Sequence, residues 1–131
     1  MTCRELFDSA VALLCEDPSD SERIFDYTER APYLFAMLVM QTLPLDAEYR
    51  LAYGLEAGGG FSATVLPLES KFPLSEAFAP AAVYYVAAML VADENEDLMD
   101  KLFALYTDTV SAIQASLPAS ISSITDKYSL R

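Results

Sequence analysis

The apolar positions of the chain recur at helical spacing in four stretches, and the polar positions between them carry helix caps and breakers. Thr2 and Glu5 form a T-x-x-E capping box, in which each side chain satisfies a backbone N–H at a helix start. Leu6, Phe7, Ala10, Val11, Leu13 and Leu14 follow at the intervals of a first helix, which Asp17-Pro18-Ser19-Asp20 stops. The spacing predicts a second helix from Asp26 to about Leu43, with Tyr33, Leu34, Met37, Leu38 and Met40 as its apolar stripe. Pro32 lies in or near its first turn, where a missing N–H costs little, and Asp26 or Thr28 caps it, depending on where it starts. Pro44 ends it, with one or two further turns over Asp46 to Tyr53.

The middle of the chain is less regular. All four glycines lie between Gly54 and Gly60, and Phe61 to Leu68 reads as a short strand or an extended loop. Pro67 and Pro73 argue against a long element there, so 54–71 is expected to be a mobile or partner-ordered loop. A third helix opens at Ser75-Glu76 or at Pro80 and runs to Val91 or Ala92. Asp93 or Asn95 caps a fourth, whose stripe is Leu98, Leu102, Leu105, Tyr106, Thr109, Val110, Ile113 and Leu117. Its opposite face carries Asp100, Lys101, Asp108 and Gln114, and Pro118 stops it. Residues 120–131 form a short helix, an extended arm or a docked tail. No internal repeat or domain boundary is visible. The expectation is a mostly α, single-domain bundle of about four main helices over residues 1–131, with an irregular glycine-containing middle loop.

Composition supports that fold class. At 131 residues and 53% hydrophobic, the chain has material for one core. Leu, Ala, Val, Met and Phe dominate, and β-branched alternation is absent. The net charge of −12, from 20 acidic against 8 basic residues, disfavours broad contact with nucleic acid or anionic membranes. Cys3 and Cys15 are 12 positions apart, roughly 18 Å along one helix, too far for a disulfide within it. Reduced thiols suit a cytoplasmic compartment. Glu5 and Asp8 interrupt the N-terminal stretch, which does not read as a signal peptide. The charge-free apolar run Ala77 to Ala92 falls short of the roughly 20 residues that span a bilayer.

The search for chemistry turns up absences. The chain has no histidine, which removes the commonest general base and metal ligand. It has no nucleophile elbow, and two cysteines alone make no zinc site. Gly58-Gly59-Gly60 lacks the Lys-Ser/Thr of a phosphate loop and the spacing of a dinucleotide fingerprint. Asp93, Asn95 and Asp97 alternate as in a calcium loop, but its sixth and twelfth positions here are Leu98 and Ala104 rather than glycine and glutamate. An acid-rich first helical turn accounts for the cluster. The reading is therefore no enzyme, with no catalytic residue, no cofactor and no metal.

Phe72-Pro73-Leu74, the run Ala79-Pro80-Ala81-Ala82-Val83-Tyr84-Tyr85-Val86-Ala87-Ala88-Met89-Leu90, the acidic break Asp93-Glu94-Asn95-Glu96 and Leu102-Phe103-Ala104-Leu105-Tyr106 follow one another. Over residues 72–117 this order resembles the small helical head-to-tail connector (adaptor or head-completion) proteins of tailed phages and prophages. In many of these an apolar helix, an acidic turn and a returning helix with an aromatic pattern occur in that order. The resemblance implies a structural role: docking on a ring-shaped partner between capsid portal and tail, self-assembly, and a place in the bacterial cytoplasm or the virion. The alternative is an acidic soluble adaptor or regulatory protein that binds a basic protein partner. For the connector reading Phe61, Leu66, Ile121, Ile124 and Tyr128 are the candidate partner-binding residues, as apolar positions in segments that a four-helix core does not need, whereas the adaptor reading expects carboxylates clustered on one face. The competing assignment for each is burial against its own bundle. Sequence-specific nucleic-acid binding and membrane partners are not expected.

Overall fold

The computed structural model describes residues 1–14 and 21–118 and has the mostly helical architecture that the periodicity predicts. Four helices follow in order: α1 (Cys3–Leu13), α2 (Ser21–Ala52), α3 (Ala79–Val91) and α4 (Glu96–Ser116), with a single 3-10 turn at Glu76–Phe78 leading into α3. Among the described residues there is no strand, and Thr2 and Lys71 form an isolated antiparallel bridge. The helix-stopping segment Asp17 to Asp20 and Cys15 lie outside the described residues, as do Ile121, Ile124 and Tyr128.

α3 is the centre, and its sequence explains why. It contains no charged residue, and its alanines let neighbouring helices approach on several sides. Ala81, Ala82, Tyr85, Val86, Ala87, Ala88, Leu90 and Val91 are all buried, against α1, α2 and α4. α4 returns along α3 after a short turn. Asn95 caps α4 by accepting a hydrogen bond from the Leu98 N–H at 3.1 Å. Glu96 and Asp97 place negative charge in its first turn, where the helix dipole favours it. Leu102 is its buried knob, and Tyr106 meets Tyr85 at a ring-centroid distance of 5.2 Å. Leu105, expected on the same stripe, is instead exposed.

The segment before α3 is not the free loop that its prolines suggest. From Leu66 to Leu74 the residues alternate: Leu66, Leu68, Phe72 and Leu74 are buried, while Pro67, Glu69 and Lys71 are exposed. This is a strap whose burial alternates with a two-residue period, with a turn at its middle where Ser70 N–H donates to the Pro67 carbonyl at 2.9 Å. It closes the start of α1, where Cys3 N–H donates to the Ser70 carbonyl (3.0 Å) and Arg4 N–H to the Leu68 carbonyl (2.8 Å). Those are two of the amides that a helix N-terminus leaves without partners. Thr2 caps the same helix through Glu5 N–H, as its capping-box position predicts. Phe72 N–H returns to the Met1 carbonyl, and Arg4 reaches Glu69 at 2.6 Å.

α2 departs most from the sequence reading. It does not end at Pro44 but runs on to Ala52, with Pro32 and Pro44 both inside it. Each proline removes one i→i−4 hydrogen bond, a local cost of about 3 kcal/mol. Packing and side-chain bonds on both sides carry the helix through. Tyr27, Ala31, Phe35, Leu38 and Val39 are wholly buried, and Leu66 N–H donates to the Pro32 carbonyl at 3.0 Å. Beyond Pro44, Asp46 is held as described below. The helix stops where glycine lets it: Gly54 has φ +67°, its N–H donates to the Leu51 carbonyl, and Leu55 N–H donates to the Arg50 carbonyl at 2.8 Å. That pair of bonds around a left-handed glycine is the Schellman arrangement, which explains why the stop lies here and not at the proline.

Candidate interaction surface

α2 has two faces, and the chain's own interactions consume one of them. At 100° per residue, Tyr27, Ala31, Phe35, Leu38, Thr42, Asp46 and Tyr49 fall on the inward side. Two of these are polar, and both are satisfied. The Thr42 hydroxyl donates to the Leu38 carbonyl at 2.7 Å. Asp46, 1% exposed, accepts from the backbone N–H of Ser75 (2.9 Å), the Ser75 hydroxyl (2.6 Å) and Nε of Arg50 (2.8 Å). Arg50 also donates to the carbonyls of Glu56 (3.1 Å) and Pro73 (3.2 Å). This cluster ties the end of α2 to both ends of the 56–75 segment. Gly58 packs on it, since a Cβ there would stand 3.1 Å from Arg50 Nε.

The other two arginines of α2 are also turned towards the chain's own partners. Arg30 donates to the carbonyls of Met89 (3.0 Å) and Leu90 (3.3 Å), placing a cation at the C-terminus of α3. It also lies 3.4 Å from Asp26. Arg23 stands 3.8 Å from Glu94, which accepts the Tyr27 hydroxyl at 2.8 Å. Glu94 and Asn95 of the acidic run thus have structural duties at the α3–α4 turn. Among the described residues no group of three or more Cys, Asp or Glu is placed to hold a metal ion.

The outward face of α2 is apolar over its second half. Tyr33, Met37, Met40, Pro44, Ala47 and Leu51 are spaced 4, 3, 4, 3 and 4 residues apart, the seam of a coiled-coil helix, and all six are exposed. Tyr33 is 55% accessible, Met37 and Met40 51% each, and Leu51 84%. The row extends over roughly 27 Å at the helical rise of 1.5 Å per residue. Glu22 and Glu29 precede it on the same face and Glu48 lies beside its far end. None of these three has an ion-pair partner among the described residues. The face is therefore an apolar row with bare carboxylates at both ends and no free cation.

The residues singled out in the sequence fare differently. Leu66 is buried and belongs to the strap, so in this fold it offers no surface to a partner. Its place in the alternation with Leu68, Phe72 and Leu74 is the signal that marks it as core. Phe61 is half-buried and packs against the core. Ile121, Ile124 and Tyr128 fall outside the described residues. Conversely Tyr33, Met37 and Met40, read in the sequence as a core stripe together with Leu34 and Leu38, form the exposed row, while Leu38 is buried.

A shallow groove of about 350 Å³ between α1 and α3 is lined by Ser9, Ala12, Leu13, Pro80, Val83 and Tyr84, with no acid or base among them. Cys3 is fully buried, and burial pushes its thiol up to about 11, far from a reactive thiolate. Burial also raises Tyr85 and Tyr106 above the ordinary tyrosine value, and the Gln41 side chain, by a hydrogen bond, partly offsets this at Tyr85. No described helix is long and apolar enough to cross a membrane. Comparison of the chain with known protein families, with curated proteins and with solved structures gives no match.

Proposed function

We infer that this chain is a non-enzymatic protein-docking module of the acidic adaptor kind, which engages its partner through the outward face of α2. The observation that carries the reading is the row Tyr33, Met37, Met40 and Leu51, four large apolar side chains each at least half exposed on one helix face. Methionine and aromatic residues are over-represented at the centres of protein interfaces, and methionine adapts its shape to different partners. Contiguous apolar exposure of this kind on a water-soluble fold marks an interaction site. The test is a comparison of faces by thermal and urea unfolding. The double substitution Met37→Glu with Met40→Glu should stay within about 0.5 kcal/mol of the parent, as free-surface changes do, while Leu38→Ala loses about 2–5 kcal/mol from a filled core. A loss from the outward pair as large as that from Leu38→Ala would mean that the chain itself covers this face.

A narrower version of the reading is a head-to-tail connector of a tailed phage or prophage, acting in the bacterial cytoplasm and the virion. The succession of α3, the acidic turn and α4 with Phe103 and Tyr106 supports it, because the resemblance over 72–117 rests on that order. Light scattering over a range of concentration and salt tests it, alone and on mixing with portal rings. Incorporation into a closed ring supports a connector. A monomer that joins no ring leaves the soluble adaptor.

A further inference from the structure

We propose that the partner of the α2 face is an amphipathic helix with an apolar a/d row of about three heptads and Lys or Arg at both ends, lying lengthwise on the row from Tyr33 to Leu51. The proposal rests on the docking reading above and adds the chemistry of the occupant. The row has the 4–3 alternation that a second helix reads with its own apolar row, so each outward side chain can seat between facing side chains. A strand or an irregular loop would match only part of so regular and so long a row.

The ends specify charge. Glu22 and Glu29, with Asp26 between them, lie N-terminal to the apolar row, and Glu48 lies beside its C-terminal end. The cations of α2 that could neutralise Glu22, Glu29 and Glu48 are committed elsewhere: Arg30 to the α3 carbonyls and Asp26, Arg50 to Asp46 and two loop carbonyls, Arg23 beside Glu94. A basic partner therefore meets carboxylates at both ends of the apolar contact without displacing an internal ion pair. The more strongly basic end of the partner lies over the first turns of α2, where the unpaired Glu22 and Glu29 stand against Glu48 alone at the far end. A second copy of this chain fits poorly. It brings a further net charge of −12 to the contact and offers no free cation from its own α2.

The probe is a pair of synthetic peptides of roughly 20 residues with the same leucine a/d row. One carries lysine at its ends and flanks, and the other carries glutamate there. Binding to the full chain is read by fluorescence anisotropy and by amide chemical-shift changes. The lysine peptide is expected to bind at least ten-fold more tightly than the glutamate peptide, with shifts centred on residues 29–51. Met40→Glu should weaken it at least ten-fold, and Glu29→Gln with Glu48→Gln should weaken it several-fold and flatten its salt dependence. Equal binding of the two peptides at α2 would overturn the charge assignment and leave the docking face standing. Lysine-peptide binding that is insensitive to Met40→Glu and spread over the whole surface would overturn both. If neither peptide binds, a helical partner is excluded, and the unfolding comparison of Met37 and Met40 with Leu38 still decides the face itself.

Discussion

Removing the carboxylate of Asp46 should be the most destabilising polar change in the molecule, and its size can be worked from the contacts. Asp46→Ala deletes the acceptor of three hydrogen bonds at 2.6–2.9 Å. The Ser75 N–H and hydroxyl are buried, and a buried donor left unpaired costs roughly 1–3 kcal/mol. Breaking one side of a buried ion pair costs about 3–5 kcal/mol. Arg50 lowers that share, because its side chain is 19% exposed and it keeps the carbonyls of Glu56 and Pro73. The expected loss is about 3 kcal/mol, a large part of the 5–15 kcal/mol that a domain typically has. The midpoint of thermal unfolding should fall by on the order of 10 °C. Asp46→Asn keeps the shape and one acceptor for Ser75 but turns an N–H₂ towards Arg50 Nε, so it should lose about 2 kcal/mol. Urea unfolding followed by far-UV circular dichroism measures both. A double-mutant cycle with Ser75→Ala should give a coupling of about 1–3 kcal/mol. If Asp46→Ala cost under about 1 kcal/mol, or if the cycle gave no coupling, the idea that this cluster fastens the end of α2 to the strap would be wrong.

Leu66→Ala should lose about 2–5 kcal/mol in the isolated protein, by opening a cavity between the strap and α2, and a near-neutral result would return Leu66 to the surface candidates. Gly54→Ala should cost about 1 kcal/mol, because alanine at φ +67° is strained while nothing crowds its Cβ, and urea midpoints of the two proteins measure it. The Cys3 thiol is about 11 in the fold against 9.0 as the unperturbed value, so the folded state binds the extra proton. The stability this represents is fully present below pH 9 and is lost as pH rises towards 11, by up to roughly 2.7 kcal/mol at 1.36 kcal/mol per pH unit. Urea midpoints at pH 8 and 10.5 should show most of that loss in a Cys15→Ser background, and Cys3→Ala should reduce the fall between the two pH values, leaving the part that the buried Tyr85 and Tyr106 contribute.

The parts of the fold that were legible in the sequence are those with local signals. Thr2 and Asn95 cap the helices that their positions predict, and the charge-free stretch around Tyr85 is the central helix. α2 was misread because its decisive features are tertiary. Pro44 is a breaker by local rules, yet the helix passes it because Asp46 and Arg50 find partners on Pro73 and Ser75, more than twenty residues away. The predicted stripe also mixed its two faces, since Leu38 is core while Tyr33, Met37 and Met40 lie outward. Thr42 and Asp46 lower the apparent hydrophobicity of the buried side, while Met37 and Met40 raise that of the exposed side. The strap from Leu66 to Leu74 did carry a readable sign, the alternation Leu-Pro-Leu-Glu-Ser-Lys-Phe-Pro-Leu, but two prolines in it pointed to a loop. The exposed apolar row of α2 could be found only once burial had shown which of its apolar residues were left over.

On the proposed function, another protein covers the apolar row of α2. The most direct test is photo-crosslinking in the native cells from a benzophenone amino acid in place of Met40, with the same group in place of the exposed Asp108 on α4 as the control. A discrete adduct with another polypeptide is expected from position 40, lost when Met37→Glu is added, and none from position 108. Adducts from position 40 that lie only within the chain, or equal yields from the two positions, would contradict the proposed function.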